Sequence, residues 1–114
     1  MEGMRRNSVE EHIVVLVTAP SKAVGRDVAQ ALLEQQLAAC VNVIPAMDSL
    51  YTWEGEIRSD EEVLLVVKTR AAAFDELAIV VRDVHPYEVP EIIALPSVAG
   101  SRDYLDWIDE VVED

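Results

Sequence analysis

Two apolar arms of unusual length, joined by one short glycine turn, constrain the fold of this 114-residue chain more than any other feature. The first arm starts at Cys40 and alternates polar and apolar residues up to Trp53, and Glu54-Gly55-Glu56 supplies the turn. The second arm returns through Ile57 and Val63–Lys68. Strands usually span about five or six residues. A domain of this size cannot bury both arms alone, so we expect other copies of the chain to cover them.

The segments around the arms predict three helices and two further strands. Ile13–Val17 is an uninterrupted apolar run rich in β-branched residues, typical of a central strand, and Ser21 is placed to cap the helix that follows. Ile92–Leu95 predicts a short strand, and Ser101 is placed to cap a last helix. The helical faces predicted to be buried are Val24, Val28, Ala31 and Leu32; Phe74, Leu77, Ala78 and Val81; and Leu105, Ile108 and Val112.

This order of elements predicts an α+β fold, the ferredoxin-like β-α-β-β-α-β arrangement with an added C-terminal helix. We expect a single domain over residues 12–114, preceded by a flexible tail over residues 1–11. The sheet should be antiparallel, with the first two helices on one face. Its other face then lacks cover within one copy, and monomers rarely expose large apolar patches. We therefore expect a closed homo-oligomer.

Charge and cysteine content limit the partners and the compartment. Twenty-two acidic residues against nine Lys and Arg give a net charge of −13, which repels phosphate backbones and makes nucleic acid a poor partner. No apolar stretch approaches the roughly 20 residues that span a bilayer, so a membrane is not expected as a partner. The single cysteine, Cys40, permits no intrachain disulfide and favours the cytoplasm.

His85 and Cys40 are the candidate metal ligands. His85 follows a predicted helix and precedes Pro86, where it can bind metal, carry a proton or cap the last carbonyls of the helix. Cys40 can offer a thiolate to copper or zinc, although free cysteines are usually buried structural residues.

Three aromatic residues and one charged pair are the candidates for ligand binding. Tyr51, Trp53 and Tyr87 can form the wall of a small-molecule pocket or, equally, a subunit interface. Lys68 can meet an anion or pair with a carboxylate such as Glu91. The chain has no glycine-rich phosphate loop, no paired cysteines and no catalytic triad, so we expect a binding protein and not an enzyme.

Six motifs, in order, resemble one known family, the divalent-cation tolerance proteins of the CutA type. The resemblance extends from about Val15 to Trp107. The motifs are Leu37–Asn42, Ser49–Gly55, Lys68-Thr69, His85-Pro86-Tyr87, Val89-Pro90-Glu91 and Tyr104–Trp107.

The resemblance implies a ferredoxin-like homotrimer whose long hairpins embrace neighbouring subunits, with a high resistance to unfolding. It also implies a response to metal ions and an association with copper and other divalent cations. It places Cys40, Tyr51, Trp53, Lys68, His85, Tyr87 and Glu91 in or near clefts between subunits. This sequence departs from metal-linked members at Val17, where some carry cysteine, and at Val84, where some carry histidine.

Two alternative functions stay open at this stage. The trimer is similar in plan to PII signalling proteins, so its intersubunit cleft can instead hold a small anionic ligand. It can also be a rigid scaffold for a partner protein.

Overall fold

An antiparallel sheet covered on one face by two helices forms the body of the protein. The computed structural model describes residues 4–6 and 11–112. Its strands are β1 (Met4–Arg6), β2 (His12–Ala19), β3 (Cys40–Trp53), β4 (Glu56–Arg70), β5 (Ile92–Pro96) and β6 (Ala99–Ser101). Its α-helices are α1 (Lys22–Glu34), α2 (Phe74–Val84) and α3 (Arg102–Val111), and a short 3₁₀ turn, Ala71–Ala73, precedes α2.

The main sheet has the strand order β3-β4-β2-β5, and every neighbouring pair is antiparallel. The predicted central strand is confirmed, because β2 lies between β4 and β5. Together with the alternation of strands and helices along the chain, this order confirms the ferredoxin-like α+β fold with an added C-terminal helix. No helix within the described residues combines the length and apolar character needed to cross a membrane.

The hydrophobic core lies between one face of this sheet and helices α1 and α2. Alternate residues of β2, including Val15 and Val17, are completely buried there, as are Leu32 of α1 and Leu77 of α2. The predicted caps are confirmed: the Val24 amide donates to Ser21 Oγ at 3.2 Å, and the Tyr104 amide donates to Ser101 Oγ at 3.3 Å. Helices α1 and α2 therefore bury the apolar faces that their periodicity predicts.

The opposite face of the sheet, called here the open face, carries apolar side chains that no element within the described residues covers. Ile93 is 52% exposed and Leu95 is 48% exposed, although both belong to strand β5 beside the central strand. The other apolar residues of this face are Val14, Leu16, Ile44, Leu64 and Val66. The expectation of an uncovered apolar face in the single chain is confirmed.

Strands β3 and β4 form the long hairpin, which extends beyond the core and gives the molecule extents of 49 × 27 × 22 Å. Its two-residue turn has positive φ at both Glu54 (51°) and Gly55 (77°), as hairpin turns that match strand twist require. Leu50 is 70% exposed and Ile57 is 81% exposed on these arms. The described residues of the same chain therefore leave these two side chains of the hairpin largely uncovered.

The N-terminal residues differ from the expected tail at one place. Met4–Arg6 form β1, which pairs antiparallel with Ala99–Ser101, so the backbone of these three residues is held by ladder hydrogen bonds. This strand pairing was not predicted, because β1 and its partner β6 are each only three residues long and carry no periodic signal. The rest of the predicted tail before Glu11 lies outside the described residues.

Candidate functional site

A cleft of about 820 Å³ opens where the hairpin arms meet the loop after α2, and we call it the arm cleft. Three aromatic side chains line it: Tyr51, Trp53 and Tyr87. Its charged residues are Asp48, Asp60, Glu62, Glu88, Glu91 and Arg58. Among the described residues, the lining of the cleft therefore combines a large aromatic wall with five carboxylates and one cationic side chain.

A β-bulge decides which residues of β3 face this cleft. Pro45 and Ala46 together lie opposite the single residue Val63, and Ala46 has a positive φ of 58°. Beyond the bulge, Tyr51 pairs with Arg58 and Trp53 pairs with Glu56. Directly paired residues of an antiparallel ladder project to the same face. The extra residue thus directs the odd-numbered residues of β3 to the cleft side of the hairpin.

Strand β4 supplies the charged side of the cleft through residues two positions apart. Arg58, Asp60, Glu62 and Leu64 all line the cleft, as expected for the period of two in a strand. Sequence analysis missed the first three of these. No sequence signal singled them out, because residues 58–62 are polar at every position and therefore show no two-residue alternation.

Glu62 is the most buried charged residue of the cleft. Only 7% of its surface is exposed, and it pairs with Met47 in the ladder immediately beside the bulge. Within residues 4–6 and 11–112, its carboxylate takes part in no hydrogen bond or ion pair. Its carboxylate oxygens nevertheless keep contact with solvent, since neither is a buried atom without a partner.

The carboxylates of the cleft raise the pKa of two of its tyrosines. The Tyr51 hydroxyl donates a hydrogen bond to Asp60 Oδ2, and this bond is the main reason that the pKa of Tyr51 is raised from 10.0. Burial raises the pKa of Tyr87, and the charges of Glu62 and Asp60 raise it further. Both carboxylates therefore act on the same region of the cleft as Tyr87.

These shifts predict how the protein responds to alkaline pH. A raised pKa means that the folded state holds the phenol protons more tightly than the unfolded state does. The resulting stabilisation is complete below pH 10 and is lost as the pH rises through the higher folded-state values. We expect phenolate absorbance at 295 nm to appear at higher pH in native than in unfolded protein. Coincident titration curves for the two states would contradict this expectation.

His85 is placed beneath the cleft, with both ring nitrogens engaged. Nε2 lies 2.7 Å from the carbonyl oxygen of Thr18, so Nε2 must carry the proton and donate. Nδ1 accepts from the Tyr87 amide at 3.2 Å, and the two rings pack with centroids 4.8 Å apart. The side chain is buried, with 6% exposed. In this arrangement His85 fixes the loop that brings Tyr87 to the cleft, and no ring nitrogen is available to a metal.

Cys40 and Lys68 lie at the other end of the sheet. They pair directly in the β3–β4 ladder, and Lys68 donates a hydrogen bond through Nζ to Asn42 Oδ1. On the neighbouring strand β2, Lys68 pairs with Val14, whereas His85 contacts Thr18. Val14 and Thr18 are four residues apart along β2. At about 3.3 Å per residue this separation is roughly 13 Å. Within one chain, the structure does not bring Cys40 to His85, or Lys68 to Glu91.

The donor set does not fit a resident metal ion within a single chain. Across the part of the chain that the structure describes, no three His, Cys, Asp or Glu side chains lie close enough together to hold one. Of the residues predicted from sequence, Tyr51, Trp53, Tyr87 and Glu91 do meet in the arm cleft. The aromatic prediction thus leads to one cavity, whereas the two expected metal ligands are separated.

Several solved structures share this fold over most of their length. A divalent cation tolerance protein from Thermus thermophilus matches with a TM-score of 0.88 and 51% identity, covering 90% of this chain and 99% of that one. A CutA1 protein from a psychrotrophic Shewanella matches with a TM-score of 0.90 and 34% identity, covering 94% and 100%.

Sequence comparison gives the same relatives. The divalent-cation tolerance protein CutA of Thermus thermophilus is 54% identical over 97 residues, which is 85% of this chain and 94% of that protein. Human protein CutA is 47% identical over 97 residues, and the match spans about half of its length (54%). The model of the family described as CutA1 divalent ion tolerance protein matches residues 13–111. With that match covering nearly the whole described domain, this chain belongs to the CutA1 divalent ion tolerance protein family.

Proposed function

We propose that this CutA-type protein acts as a homotrimer that binds divalent cations weakly and reversibly in the response to metal ions. The observation that carries the cation proposal is the composition of the arm cleft, where five carboxylates face one guanidinium. Carboxylate oxygens suit hard divalent cations, and a formal net charge of −13 raises the concentration of cations near the surface.

The open face supports the trimer. Its apolar residues form a continuous layer across the sheet, and Ile93 and Leu95 are each about half exposed in one chain. Apolar patches of this extent are rare on monomers and usually mark an interface. A closed ring of identical subunits covers such a face in every copy. Three is the number of copies that the family resemblance implies.

Copper is the less supported metal at the arm cleft. Copper favours thiolate and imidazole donors, whereas the cleft offers carboxylates. Within one chain Cys40 lies near the Val14 end of β2, whereas His85 contacts Thr18 near its other end. Both nitrogens of His85 are also hydrogen-bonded. A copper site built from Cys40 and His85 therefore requires ligands from more than one protomer and the loss of a His85 hydrogen bond.

The main test is a titration with Mn²⁺, followed through the electron paramagnetic resonance signal of the free ion. We expect a dissociation constant of about 0.1–1 mM, since few ligands converge. Glu62→Gln should weaken binding at least threefold. Glu110→Gln, which removes one charge from the exposed face of α3, is the matched control and should change it little. Equal weakening by both variants would contradict a site in the cleft.

Calorimetry with copper(II) tests the second metal. We expect weak heats that Cys40→Ser leaves unchanged. Saturation at a whole-number ratio per trimer that disappears in Cys40→Ser would instead establish a thiolate site for copper and contradict the preference for carboxylates.

The alternative of an anionic ligand, as in a PII-like sensor, has less support from the cleft. The aromatic wall suits a small organic ligand, but the surrounding charge is negative and Lys68 lies at the far end of the sheet. We propose a binding function and no catalytic one. The cytoplasm is the proposed compartment, with Cys40 as a free thiol.

A further inference from the structure

Strands β1 and β6 form a two-stranded sheet that is separate from the main sheet. The three residues of β1, Met4–Arg6, pair antiparallel with Ala99–Ser101. The family model matches residues 13–111, so β1 is an addition to the matched domain. Both strands are about half the usual length, and an isolated pair of this size is marginally stable in water. A longer extended segment can therefore take the place of β1.

Contacts within the domain hold β6 in place independently of β1. Gly100, at the centre of β6, packs so closely on the buried Leu105 that an added Cβ would lie 3.0 Å from Leu105 Cδ2. The Ser101 hydroxyl caps the first turn of α3. Helix α3 is anchored in turn by Asp109, whose carboxylate oxygen lies 2.7 Å from Nε2 of the buried His12. The edge of β6 that pairs with β1 therefore persists when β1 leaves it.

The charges around this edge favour a basic strand. Helix α3 contacts both β1 and β6, and its ten residues include four carboxylates and one arginine. Strand β1 has two arginines among its three residues and no acidic residue. Asp103 and Asp106, in the first half of α3, are exposed. Two elements of opposite charge therefore lie side by side, and the basic one occupies the edge of β6.

We propose that the edge of β6 beside α3 is a docking site for an extended basic segment of a partner protein, with β1 as an intramolecular strap that occupies it. Backbone hydrogen bonds of an added strand supply affinity, and the carboxylates of α3 supply the preference for Arg or Lys. The tethered strap has a high effective concentration, so it keeps the site closed until a longer basic segment displaces it. Among the described residues, those of β1, β6 and α3 do not line the arm cleft, so this site is separate from it.

The test uses a fluorescent peptide with the sequence of residues 3–8 and full-length protein in which proline disrupts the strap. Only alternate residues of an antiparallel strand donate their amides to the partner strand. Arg5→Pro removes one set of these donors and the double substitution Met4→Pro/Arg6→Pro removes the other. We expect anisotropy titration to show saturable peptide binding to at least one of these variants, at least tenfold tighter than to the parent protein. The amide chemical shifts of Ala99–Ser101 should change on binding.

The preference for basic residues is tested in the proline variant that binds the peptide. Asp103→Asn/Asp106→Asn should weaken binding about threefold or more at low salt. Asp75→Asn/Glu76→Gln, which removes two charges from the first turn of α2, is the matched control and should leave binding within about twofold. Equal weakening by the two double variants would mean that net charge, and not α3, selects the peptide.

Three further results would overturn the inference. Equal binding to the parent protein and to the proline variants would show that β1 does not occupy the docking site. No binding to either proline variant, or chemical shift changes confined to residues outside β6 and α3, would show that the edge of β6 does not accept a strand. A parent protein that sediments as a multiple of the proposed trimer would show that the strap pairs between copies of the chain rather than within one.

Discussion

Replacing Ile93 by aspartate is expected to convert the proposed trimer into a monomer at micromolar concentration. Ile93 lies on the open face in the edge strand β5, paired with Leu16 of the central strand. Assembly would bury one new carboxylate in each subunit of the trimer. Desolvation of an unpaired charge costs several kcal/mol, and each subunit would contribute one such charge against association. Sedimentation velocity of parent and variant at equal concentrations measures the change.

Ile79→Asp is the matched control for this substitution. Ile79 on α2 is 53% exposed in the single chain, against 52% for Ile93, so the two changes differ in the surface that receives the charge. We expect Ile79→Asp to remain trimeric. A variant with aspartate at 93 that sediments as a trimer would contradict the assignment of the open face as the subunit interface.

Replacing His85 by alanine is expected to lower the free energy of unfolding by about 2–4 kcal/mol. The change leaves the buried carbonyl of Thr18 without its donor and the Tyr87 amide without its acceptor. An unsatisfied buried polar group costs about 1–3 kcal/mol, and the lost packing of the ring adds to this. Denaturant titration at a fixed protomer concentration gives the value, since stability and association are linked.

Measuring His85→Ala in a metal chelator decides between a structural residue and a metal ligand. A structural role predicts the same loss of stability with and without the chelator. Val84→Ala, at the neighbouring half-exposed position, is the control and should cost less than about 1 kcal/mol. If His85→Ala matched the parent protein in chelator and differed only when copper was added, the hydrogen bonds of His85 would not be its main contribution.

Much of the fold could be predicted because local rules and tertiary structure agree there. The stripe of Leu77, Ala78 and Val81 is buried as its helical spacing indicates, and Ser21 caps α1 as its chemistry indicates. The open apolar face also follows from the sequence, since two helices cover only one side of a sheet. Strands β1 and β6 were not predicted, because three-residue strands with polar residues carry no periodic signal.

The candidate site shows where sequence reasoning ends. The sequence by itself predicted that Tyr51, Trp53 and Tyr87 form the wall of a pocket or, equally, a subunit interface, because aromatic rings give rigid apolar area with a polar group at one end. It could not show that Glu62 joins them, since that residue reads as one more acidic side chain on a charged strand. It also proposed His85 as a candidate metal ligand, and it could not show that His85 Nε2 donates a hydrogen bond to the carbonyl of Thr18, 67 residues away.

Periodicity, caps and turn chemistry are properties of neighbouring residues, so the order of strands and helices and the buried helical stripes were determined by the sequence alone. The grouping of charges and rings was decided by the tertiary structure. One extra residue at Ala46, with its left-handed backbone, sets which side of β3 faces Glu62, because a strand reverses its faces at every residue. Sequence periodicity does not reveal the bulge, and the register of the folded hairpin therefore decided which residues form the arm cleft.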